Sequence, residues 1–424
     1  MLLKKFFFLF LVLFLSIDSF AQEKDFIDGV QNQSPIVTEI CIDGLKKTRE
    51  SYIQAILKKY KNIPASELDL KAIETTLHSE GIFETVNTEL LTKDSSNAVL
   101  HITVKEKISF IPLPFAAASN GNAMGGLFIM DTNAFGVKDN FVCGGIASSS
   151  SLMGMLLFAK PSTGATKPGF STSAFVSKTD NSFVNMDDDE VLSCSSTKFN
   201  AHLAINSKLT EHSKISFGLG WTQGKIDDIE EYGSYSAQLD DYKAVSIDSE
   251  WELSFQDWNS WFLSEKSFSL NSNLRFYTDG TKSPAFEAKI VFEQPVNFIS
   301  PRLRFISQAS ASYSYNENLF QLGGGSSVGV SILPDDFVSE KLFGSFAGLE
   351  FIFAKAKFAV FSLYSNYQLA YSQDYDEQMG LSHGFTAGSR MYLSKVAFPA
   401  LAFGVAYNVA LKQFKYSASF GVSM

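Results

Sequence analysis

The residue pattern that most invites a chemical interpretation is G-x-S-x-G, formed by Gly325, Ser327 and Gly329 in the stretch FQLGGGSSVGVSILPDDF. In hydrolases this pattern places a nucleophilic serine between a buried strand and a helix, with histidine and acid partners. Here Pro334 would break a helix after the serine, and the five histidines form no evident partner set. We therefore expect no enzymatic activity and no cofactor.

Two acidic runs, DDDE at 187–190 and DDIEE at 227–231, could bind a divalent cation through carboxylate oxygens. Such runs are more often solvated loop charge, and we favour that interpretation. The three cysteines, Cys41, Cys143 and Cys194, are odd in number and far apart. They predict neither a disulfide framework nor a metal site.

The composition limits the partners that the chain can bind. Its net charge of −10 argues against nucleic acid, whose phosphates require a basic protein face. The sequence contains 40 Phe and only 19% charged residues, yet beyond its first residues no apolar run is long enough for a membrane helix. An exported chain with so much apolar surface and no spanning helix predicts a β-barrel.

The first 21 residues have the three parts of a signal peptide. Lys4 and Lys5 precede the apolar run FFFLFLVLFL, and Ser19 and Ala21 occupy the −3 and −1 positions of a cleavage site. An uncleaved membrane anchor would need a longer apolar run. We therefore predict export, with residues 22–34 as a linker.

Residues 35–107 predict a small α+β domain with the order β-α-α-β-β. PIVTEICI is the first strand, and RESYIQAILKKY is a helix for which Thr48 is the expected N-cap. IPASELDLKAIETTLHSEG is a second helix, capped by Ser66 and stopped by Gly81. IFETVNTELL and NAVLHITVKEK are two strands joined by a turn.

Residues 108–424 alternate apolar and polar side chains with the period of a β-strand. In KISFGLGWT, for example, Phe217, Leu219 and Trp221 share one face. The pattern predicts a transmembrane antiparallel β-barrel of about sixteen strands. The predicted spans are 108–118, 123–132, 139–149, 151–159, 168–177, 197–207, 213–222, 240–255, 267–277, 284–294, 301–314, 344–354, 357–371, 384–393, 398–408 and 415–424.

An even strand number leaves both ends of the barrel chain on one side, so the longest connections lie on the other side. Because a barrel of this size is too wide for side chains to fill, we expect the polar face to line the lumen and the apolar face to contact lipid. A soluble barrel is the alternative. The long connections are 178–196, 223–239, 315–343 and 372–383.

The N-terminal module resembles a POTRA domain, the periplasmic module of outer-membrane assembly and translocation proteins. The resemblance implies that the module binds clients by adding an extended segment to its sheet edge, and the alternative is a spacer that holds the barrel mouth. The matching residues are Gly44, Leu45, Thr48, Leu77, Gly81, Phe83, Val86, Ile102, Val104 and Glu106.

The first barrel strands resemble those of the BamA-type family. MGGLFIMDTNAFGVKDNF has the Gly-rich hairpin with Asn133, Phe135 and Gly136 at its turn. Phe158 and Pro161 match the aromatic-x-x-Pro that ends a nearby strand. With the POTRA-like module, the resemblance covers most of the chain.

In BamA-type barrels a long loop folds back into the lumen after a Leu-Gly-Gly signature, which Leu322, Gly323 and Gly324 match. The family's loop then carries a Val-Arg-Gly tip whose Arg meets an acidic residue of the wall. Here Val328 is followed by Gly329, and the corresponding wall segment, FSLYSNYQLA, contains no acid. Losing both halves of the ion pair together is physically consistent, because an unpaired charge in a confined lumen costs free energy.

Barrel closure requires the first strand, FIPLPFAAAS, to pair with the last, KYSASFGVSM. Pro112 and Pro114 are two residues apart, so both missing N–H groups lie on one edge of the first strand. The predicted seam also includes Ser417, Ser419 and Phe420 of the last strand, whose serines add little packing on the lumen side. We therefore expect a weak seam, which is what a lateral gate for client strands requires. In the alternative, the prolines precede the strand and pairing begins near residue 115.

Two functions fit these patterns. The first is an outer-membrane barrel that inserts or translocates β-rich client proteins through the seam, with the POTRA-like module in the periplasm. The second is a porin-like channel or structural barrel without insertase activity. The expected partners are unfolded outer-membrane or exported clients and outer-membrane lipid, and periplasmic chaperones or accessory lipoproteins could take part.

Overall fold

The computed structural model describes residues 34–94, 96–119, 122–162, 167–232, 239–259, 262–278, 280, 283–294, 296–300, 302–317, 319–356, 359–373, 378–393 and 399–420. The predicted signal peptide, residues 1–21, and the predicted linker up to residue 33 lie outside the described residues.

A three-stranded sheet and two helices form the N-terminal domain. The elements are β1 (Ile36–Asp43), α1 (Glu50–Leu57), α2 (Leu70–Ser79), β2 (Phe83–Thr92) and β3 (Asn97–Glu106). The sheet has the strand order β1-β3-β2, with β3 parallel to β1 and antiparallel to β2. The element order is the predicted one. Across the described residues, no helix is long and apolar enough to cross a membrane.

The apolar spacing of the two helices forms the core of this domain. Ile53 and Leu57 of α1 and Ile73 and Leu77 of α2 are fully buried, because residues three or four apart share one helix face. Side chains from all three strands, Leu100 of β3 among them, complete the same cluster. This packing holds the helices on one face of the sheet.

Both predicted helix caps are wrong. Helix α1 begins after Arg49, and the Thr48 hydroxyl instead accepts a hydrogen bond from the Asn133 side chain at 2.9 Å. Helix α2 is capped by Asp69, whose carboxylate accepts the N–H of Ala72 at 3.0 Å, while Ser66 lies in a separate 3-10 turn. Asp69 stands directly before the helical residues, where a cap is most effective.

Sixteen antiparallel strands close the barrel, as predicted. Two segments, β13 and β14, both pair with β15 and together count as one strand. The segments are β4 (Phe110–Ser119), β5 (Asn122–Asp131), β6 (Asn140–Ser148), β7 (Ser151–Lys160), β8 (Gly169–Val184), β9 (Glu190–Lys208), β10 (Ser213–Glu231), β11 (Tyr242–Asn259), β12 (Phe262–Tyr277), β13 (Ala285–Glu293), β14 (Val296–Ser300), β15 (Leu303–Tyr315), β18 (Lys341–Lys355), β19 (Ala359–Gln373), β20 (Met379–Leu393), β21 (Pro399–Asn408) and β22 (Gln413–Phe420). The two-residue strands β16 (Gly323–Gly324) and β17 (Val338–Ser339) pair with each other in the β15–β18 connection.

We call the end of the barrel that adjoins the N-terminal domain the near end, and the opposite end the far end. Several strands extend further at the far end than predicted. Most of the predicted connections 178–196 and 223–239 is strand, since β8 continues to Val184, β9 begins at Glu190 and β10 continues to Glu231. Strands β18, β19 and β20 likewise extend into the other two predicted connections.

The apolar face of the barrel points outward, as predicted. On β10, Phe217 and Leu219 are 58% and 57% exposed, whereas Ser216 and Thr222 of the opposite face are buried. Further along the same strand the apolar residues change from the outer to the inner face. Ile226 there points inward and is buried. This change explains why the sequence pattern missed the far-end extensions.

The lumen is not uniformly polar, contrary to the prediction. At the far end, the inner wall carries a buried apolar cluster that includes Phe183, Leu192, Ile226 and Tyr242. A second buried cluster fills the lumen beside the β15–β18 connection. A uniformly polar lining suits an empty lumen, whereas protein fills part of this one.

The N-terminal domain docks on the turn between β5 and β6, residues 132–139. The backbone N–H of Arg49 donates to the carbonyl oxygen of Gly136 at 2.7 Å. Gly136 has a φ of +78°, and a Cβ there would lie 2.3 Å from the carbonyl oxygen of Lys47. Lys138 forms an ion pair with Glu80 at 3.0 Å. The hairpin turn identified from the sequence is thus the docking contact.

Glu106, at the end of β3, organises the segment that makes this contact. Its carboxylate accepts the backbone N–H groups of Lys46, Lys47 and Thr48 at 3.1, 2.9 and 2.8 Å. Burial alone would raise the pKa of Glu106, but hydrogen bonds from the Lys47 amide and from Thr48 outweigh it, so its pKa lies below the ordinary value.

We predict that acid weakens the docking contact through Glu106. Because the pKa of Glu106 is lower in the folded than in the unfolded state, its contribution is complete above the unfolded value of about 4.3 and is lost as pH falls through the lower folded value. Hydrogen exchange at amides 46–48, relative to the intrinsic rate, should accelerate in that range. Glu106→Gln should show no such step, and equal acid dependence in both proteins would contradict the assignment.

Candidate functional site

Among the described residues, the ladder between β22 and β4, which we call the seam, is shorter than the two ladders that flank it. Within the described residues it contains four residue pairs, from Ala116 opposite Phe420 to Ser119 opposite Ser417. The adjoining ladders, β4–β5 and β21–β22, contain ten and eight pairs. The described part of the closing ladder therefore contributes few hydrogen bonds, each worth about 1 kcal/mol.

Pro112 and Pro114 lie inside β4, so they do not precede the strand, but the described pairing across the seam begins at Ala116, close to residue 115 as the alternative expected. The N–H of Thr132 donates to the carbonyl oxygen of Ser109 at 3.0 Å, and the β4–β5 register has no shift. Since antiparallel strands alternate the edge to which each residue directs its N–H, even-numbered residues of β4 face β22. Both prolines therefore remove donors from the seam edge and none from the β5 ladder.

The described seam pairing begins at Ala116, on the far side of both prolines. The chain after Phe420 is outside the described residues. Ser419 lies directly opposite Ala117. The paired part of the seam therefore lies toward the far end, and the proline-containing part lies toward the near end, where β4 leaves the N-terminal domain.

A concavity of about 850 Å³ adjoins the seam on the outer face. Small residues floor it, including Ala118 of β4, Ala387 of β20 and Ala418 of β22. Phe403 and Tyr416 border it and are 54% and 60% exposed. The outer surface at the closing strands is therefore recessed and apolar.

The loop between β15 and β18 folds into the lumen. Val328 is fully buried, and its carbonyl oxygen accepts the hydroxyl of Ser310 from the β15 wall at 2.7 Å. On the other side, Asn408 of β21 donates to the carbonyl oxygen of Ile332 at 2.8 Å. Because these wall residues belong to separate strands, the loop spans the interior.

Gly323 and Gly324 of the Leu-Gly-Gly signature form the two-residue strand β16, which starts the inward path after Leu322. Gly329 has a φ of +75° and packs against the wall, where a Cβ would lie 2.5 Å from the amide nitrogen of Gln308. Only glycine meets both conditions without strain. The turn at the loop tip thus depends on this residue.

The loop tip is held by neutral groups. The N–H of Ser331 donates to the side-chain oxygen of Gln368 at 2.8 Å. Gln368 belongs to the wall segment FSLYSNYQLA and donates to Asn366 at 3.0 Å. Neutral hydrogen bonds of this kind contribute about 1 kcal/mol each, less than a buried charged pair whose partner is removed.

A cation on the last strand also holds the loop, and the sequence analysis missed it. The Lys415 ammonium donates to the carbonyl oxygen of Leu333 and to the carboxylate of Asp335, the latter at 3.0 Å. Lys415 occupies a lumen-facing position between the exposed Phe414 and Tyr416 of β22. The lumen loop is therefore tied directly to a strand of the seam.

A buried ion cluster on the inner wall was also missed. Glu350 of β18 is fully buried and accepts from Arg304 at 2.7 Å and Arg390 at 3.2 Å. The hydroxyls of Ser362 and Tyr392 donate to the same carboxylate at 2.6 and 2.7 Å. The only sequence signal was a glutamate at an inward position of an alternating strand.

The remaining sequence candidates lie in separate parts of the described structure. The Ser327 hydroxyl donates to the carbonyl oxygen of Gly324 at 2.7 Å inside a 3-10 turn, not at a strand-to-helix elbow. The acidic runs 187–190 and 227–231 are not assembled for a cation, since no group of three or more metal-ligating side chains occurs among the described residues. The three cysteines are free thiols.

The fold matches that of solved outer-membrane proteins. BamA from Haemophilus ducreyi lacking POTRA domains 1–3 superposes with a TM-score of 0.63 at 14% identity, over 92% of this chain and 85% of that one. CdiB from Acinetobacter baumannii gives 0.63 at 11% identity, over 92% and 74%. CdiB from Escherichia coli gives 0.58 at 10% identity, over 94% and 93%.

These likenesses define the chain as a barrel with the BamA and CdiB fold. Neither a protein-family model nor a curated protein matches the sequence. At identities of 10–14% the match shows the fold alone. The features that bear on activity are the seam, the lumen loop and the N-terminal domain.

We predict that Glu350→Ala destabilises the barrel by about 3 kcal/mol, because it removes the buried carboxylate to which the partly buried guanidinium groups of Arg304 and Arg390 donate. The loss of heat-modifiable gel mobility in detergent reports the transition, which should move to lower temperature. Asp227→Asn is the matched control, since it removes a carboxylate from an exposed ion pair with Lys225. Equal effects of the two substitutions would show that the buried cluster stabilises the barrel no more than an exposed ion pair does.

Proposed function

We propose that this protein is a BamA-type outer-membrane barrel that inserts or translocates β-rich client proteins through the β4–β22 seam. The observation that carries the proposal is the closing ladder, which has four pairs among the described residues and two prolines on the edge of β4 that faces β22. A lateral opening must break the sheet between two strands, and among the described residues the β4–β22 ladder has the fewest pairs, with β13 and β14 counted as one strand. The apolar concavity beside it offers a surface for an incoming strand.

The outer-membrane location is part of the proposal. The exposed apolar face of the barrel supports it, because such a surface suits lipid rather than water. The near end then faces the periplasm and the far end faces outward. Clients would enter from the near end, and periplasmic chaperones or accessory lipoproteins could deliver them.

A porin-like channel is the competing function, and the lumen disfavours it. The loop around Val328 crosses the interior and is bonded to several wall strands. Buried apolar side chains such as Phe183 and Tyr242 occupy the far end. A passive pore gains nothing from these obstructions or from a weak closing ladder. No catalytic role is assigned to any residue.

We assign the N-terminal domain as a POTRA-like docking module. The barrel, from residue 110 onward, makes up about three quarters of the chain, so a match over 92% must extend into residues before it. The BamA structure in that match lacks POTRA domains 1–3. The β-α-α-β-β order with sheet order β1-β3-β2 supports the same assignment.

Strand β2 is the sheet edge that a client segment would join. The N–H of Lys93 donates to the carbonyl oxygen of Asn97 in β3, so the even-numbered residues of β2 direct their N–H groups to the open edge. One of them, Thr88, already donates its N–H and its hydroxyl to Glu74 at 2.9 and 3.0 Å. The helix carboxylate therefore occupies one of the donors that a client strand needs.

We predict that a disulfide between Ala117→Cys and Ser419→Cys stops client assembly. These residues form a pair without mutual hydrogen bonds, whose Cα atoms lie about 4.5 Å apart, within disulfide range. In a background without native cysteines, oxidation should reduce the client insertion rate at least about tenfold, and reductant should restore it, if opening is obligatory. Insertion into liposomes measures the rate.

The matched control joins β4 to β5 instead. Ala118 and Ala123 are directly opposite, and cysteines there leave the seam free. Oxidation of this pair should leave insertion unchanged. If the seam disulfide forms completely and clients still insert at the normal rate, lateral opening is wrong and the channel function becomes the better one.

We also predict that Glu74→Ala strengthens client binding at the β2 edge. Removing the carboxylate frees the Thr88 donor, which is worth about 1 kcal/mol, or about fivefold in affinity. Fluorescence anisotropy with a labelled peptide of alternating apolar and polar residues measures the change on the full chain. Glu67→Ala, which removes an exposed acid away from β2, should have no effect, and an unchanged affinity in Glu74→Ala would exclude this edge.

A further inference from the structure

A cleft of about 640 Å³ lies between the N-terminal domain and the near end of the barrel. One wall is α1 with the 3-10 turn that follows it, including Tyr52 and Ile56. The other wall is the barrel rim, with Lys138 of the β5–β6 turn, Pro161 after β7 and Lys208 at the end of β9. The cleft exists only because the domain is docked on the rim.

The cleft is basic although the chain carries a net charge of −10. Lys58 and Lys59 line it from α1's side, and Lys208 lines it from the barrel. In the part of the chain that the structure describes, these three ammonium groups form no ion pair. Lys138 is already neutralised by Glu80, the one acidic residue of the lining. The cleft thus presents three positive charges without a carboxylate partner among the described residues, and the Lys59 ammonium also lies 4.9 Å from the centroid of the Tyr60 ring.

Aromatic side chains on the outer face place the cleft at the level of lipid headgroups. Phe135, Phe158 and Phe170 form a chain of ring contacts, with centroids 5.7 and 5.6 Å apart. Phe135 is 58% exposed. Outward aromatic residues at a barrel rim mark the interface between hydrocarbon and water. Pro161 follows Phe158 by three residues, roughly 10 Å along the strand, so the cleft begins where the apolar band ends.

We propose that this cleft binds the headgroup of an anionic phospholipid from the periplasmic leaflet. The lysines would contact the phosphate and headgroup oxygens, while Ile56 and Pro161 face the glycerol region. An acidic client segment also carries negative charge, but it has no reason to favour a site beside the aromatic rim. The inference rests on the proposed membrane location of the barrel and does not require seam opening.

The bound lipid would fix the N-terminal domain against the membrane. Its contacts join α1 to the rim, in addition to the direct docking at Gly136. This would hold the open β2 edge in a constant position relative to the seam. The lipid would therefore act as part of the docking contact rather than as a substrate.

Native mass spectrometry of the full chain in detergent micelles tests the proposal. Phosphatidylglycerol and phosphatidylcholine with identical acyl chains are added at matched concentrations. We expect a tightly bound phosphatidylglycerol with at least about tenfold preference over phosphatidylcholine, because each lysine near an anionic headgroup contributes about fivefold. The triple variant Lys58→Gln, Lys59→Gln and Lys208→Gln should lose the preference.

The matched control replaces three lysines of the N-terminal domain that do not line the cleft: Lys71, Lys93 and Lys105, each to Gln. It should retain the preference, and normal heat-modifiable mobility shows that both variants fold. Equal binding of the two lipids, or equal loss in both triple variants, would overturn the proposal. Displacement of the lipid by inorganic phosphate at the same concentration, or preferential binding of a polyglutamate peptide, would overturn the lipid as ligand. Because insertion activity is not the readout, failure here leaves the seam proposal standing.

Discussion

The requirement that a barrel pair every strand edge governs this molecule. A closed sheet in lipid has no water to satisfy free backbone groups, so its closing ladder must form. The chain meets this requirement with four described pairs between β22 and β4 and removes two donors from the same edge through Pro112 and Pro114. The placement of both prolines on the side away from β5 leaves the rest of the sheet intact.

The other functional elements converge on those closing strands. Lys415 ties the lumen loop to β22, and the β5–β6 turn ties the N-terminal domain to the hairpin that contains β4. Opening of the seam would therefore be coupled to the loop on one side and to the docked domain on the other. The neutral contact between Ser331 and Gln368 makes release of the loop tip less costly than breaking a buried charged pair would be.

Alternation of side chains was sufficient to predict the number of strands and the outward face, because a half-buried strand imposes a period of two. It failed where the environment of that face changed: Ile226 points inward after Phe217 and Leu219 have pointed outward. Glu350 and Lys415 could not be identified, since their partners Arg304, Arg390 and Asp335 come from distant segments. The glycines of the lumen loop were identifiable because their backbone conformation and close packing exclude other residues.

Along β10 the apolar residues change from the outer to the inner face, as expected for a strand that passes from lipid into water. This strand has 19 residues, about 60 Å at the usual rise, against a hydrocarbon thickness of about 30 Å, so its far part would stand in water. In the proposed outer-membrane location, the stability of the part of β10 before the change depends on lipid that contacts Phe217 and Leu219. Above it, Ile226 and Tyr242 are buried as in a water-soluble protein. Removal of lipid should thus loosen the part of the barrel around Phe217 and Leu219. The far end, which has its own buried apolar cluster, should keep its structure.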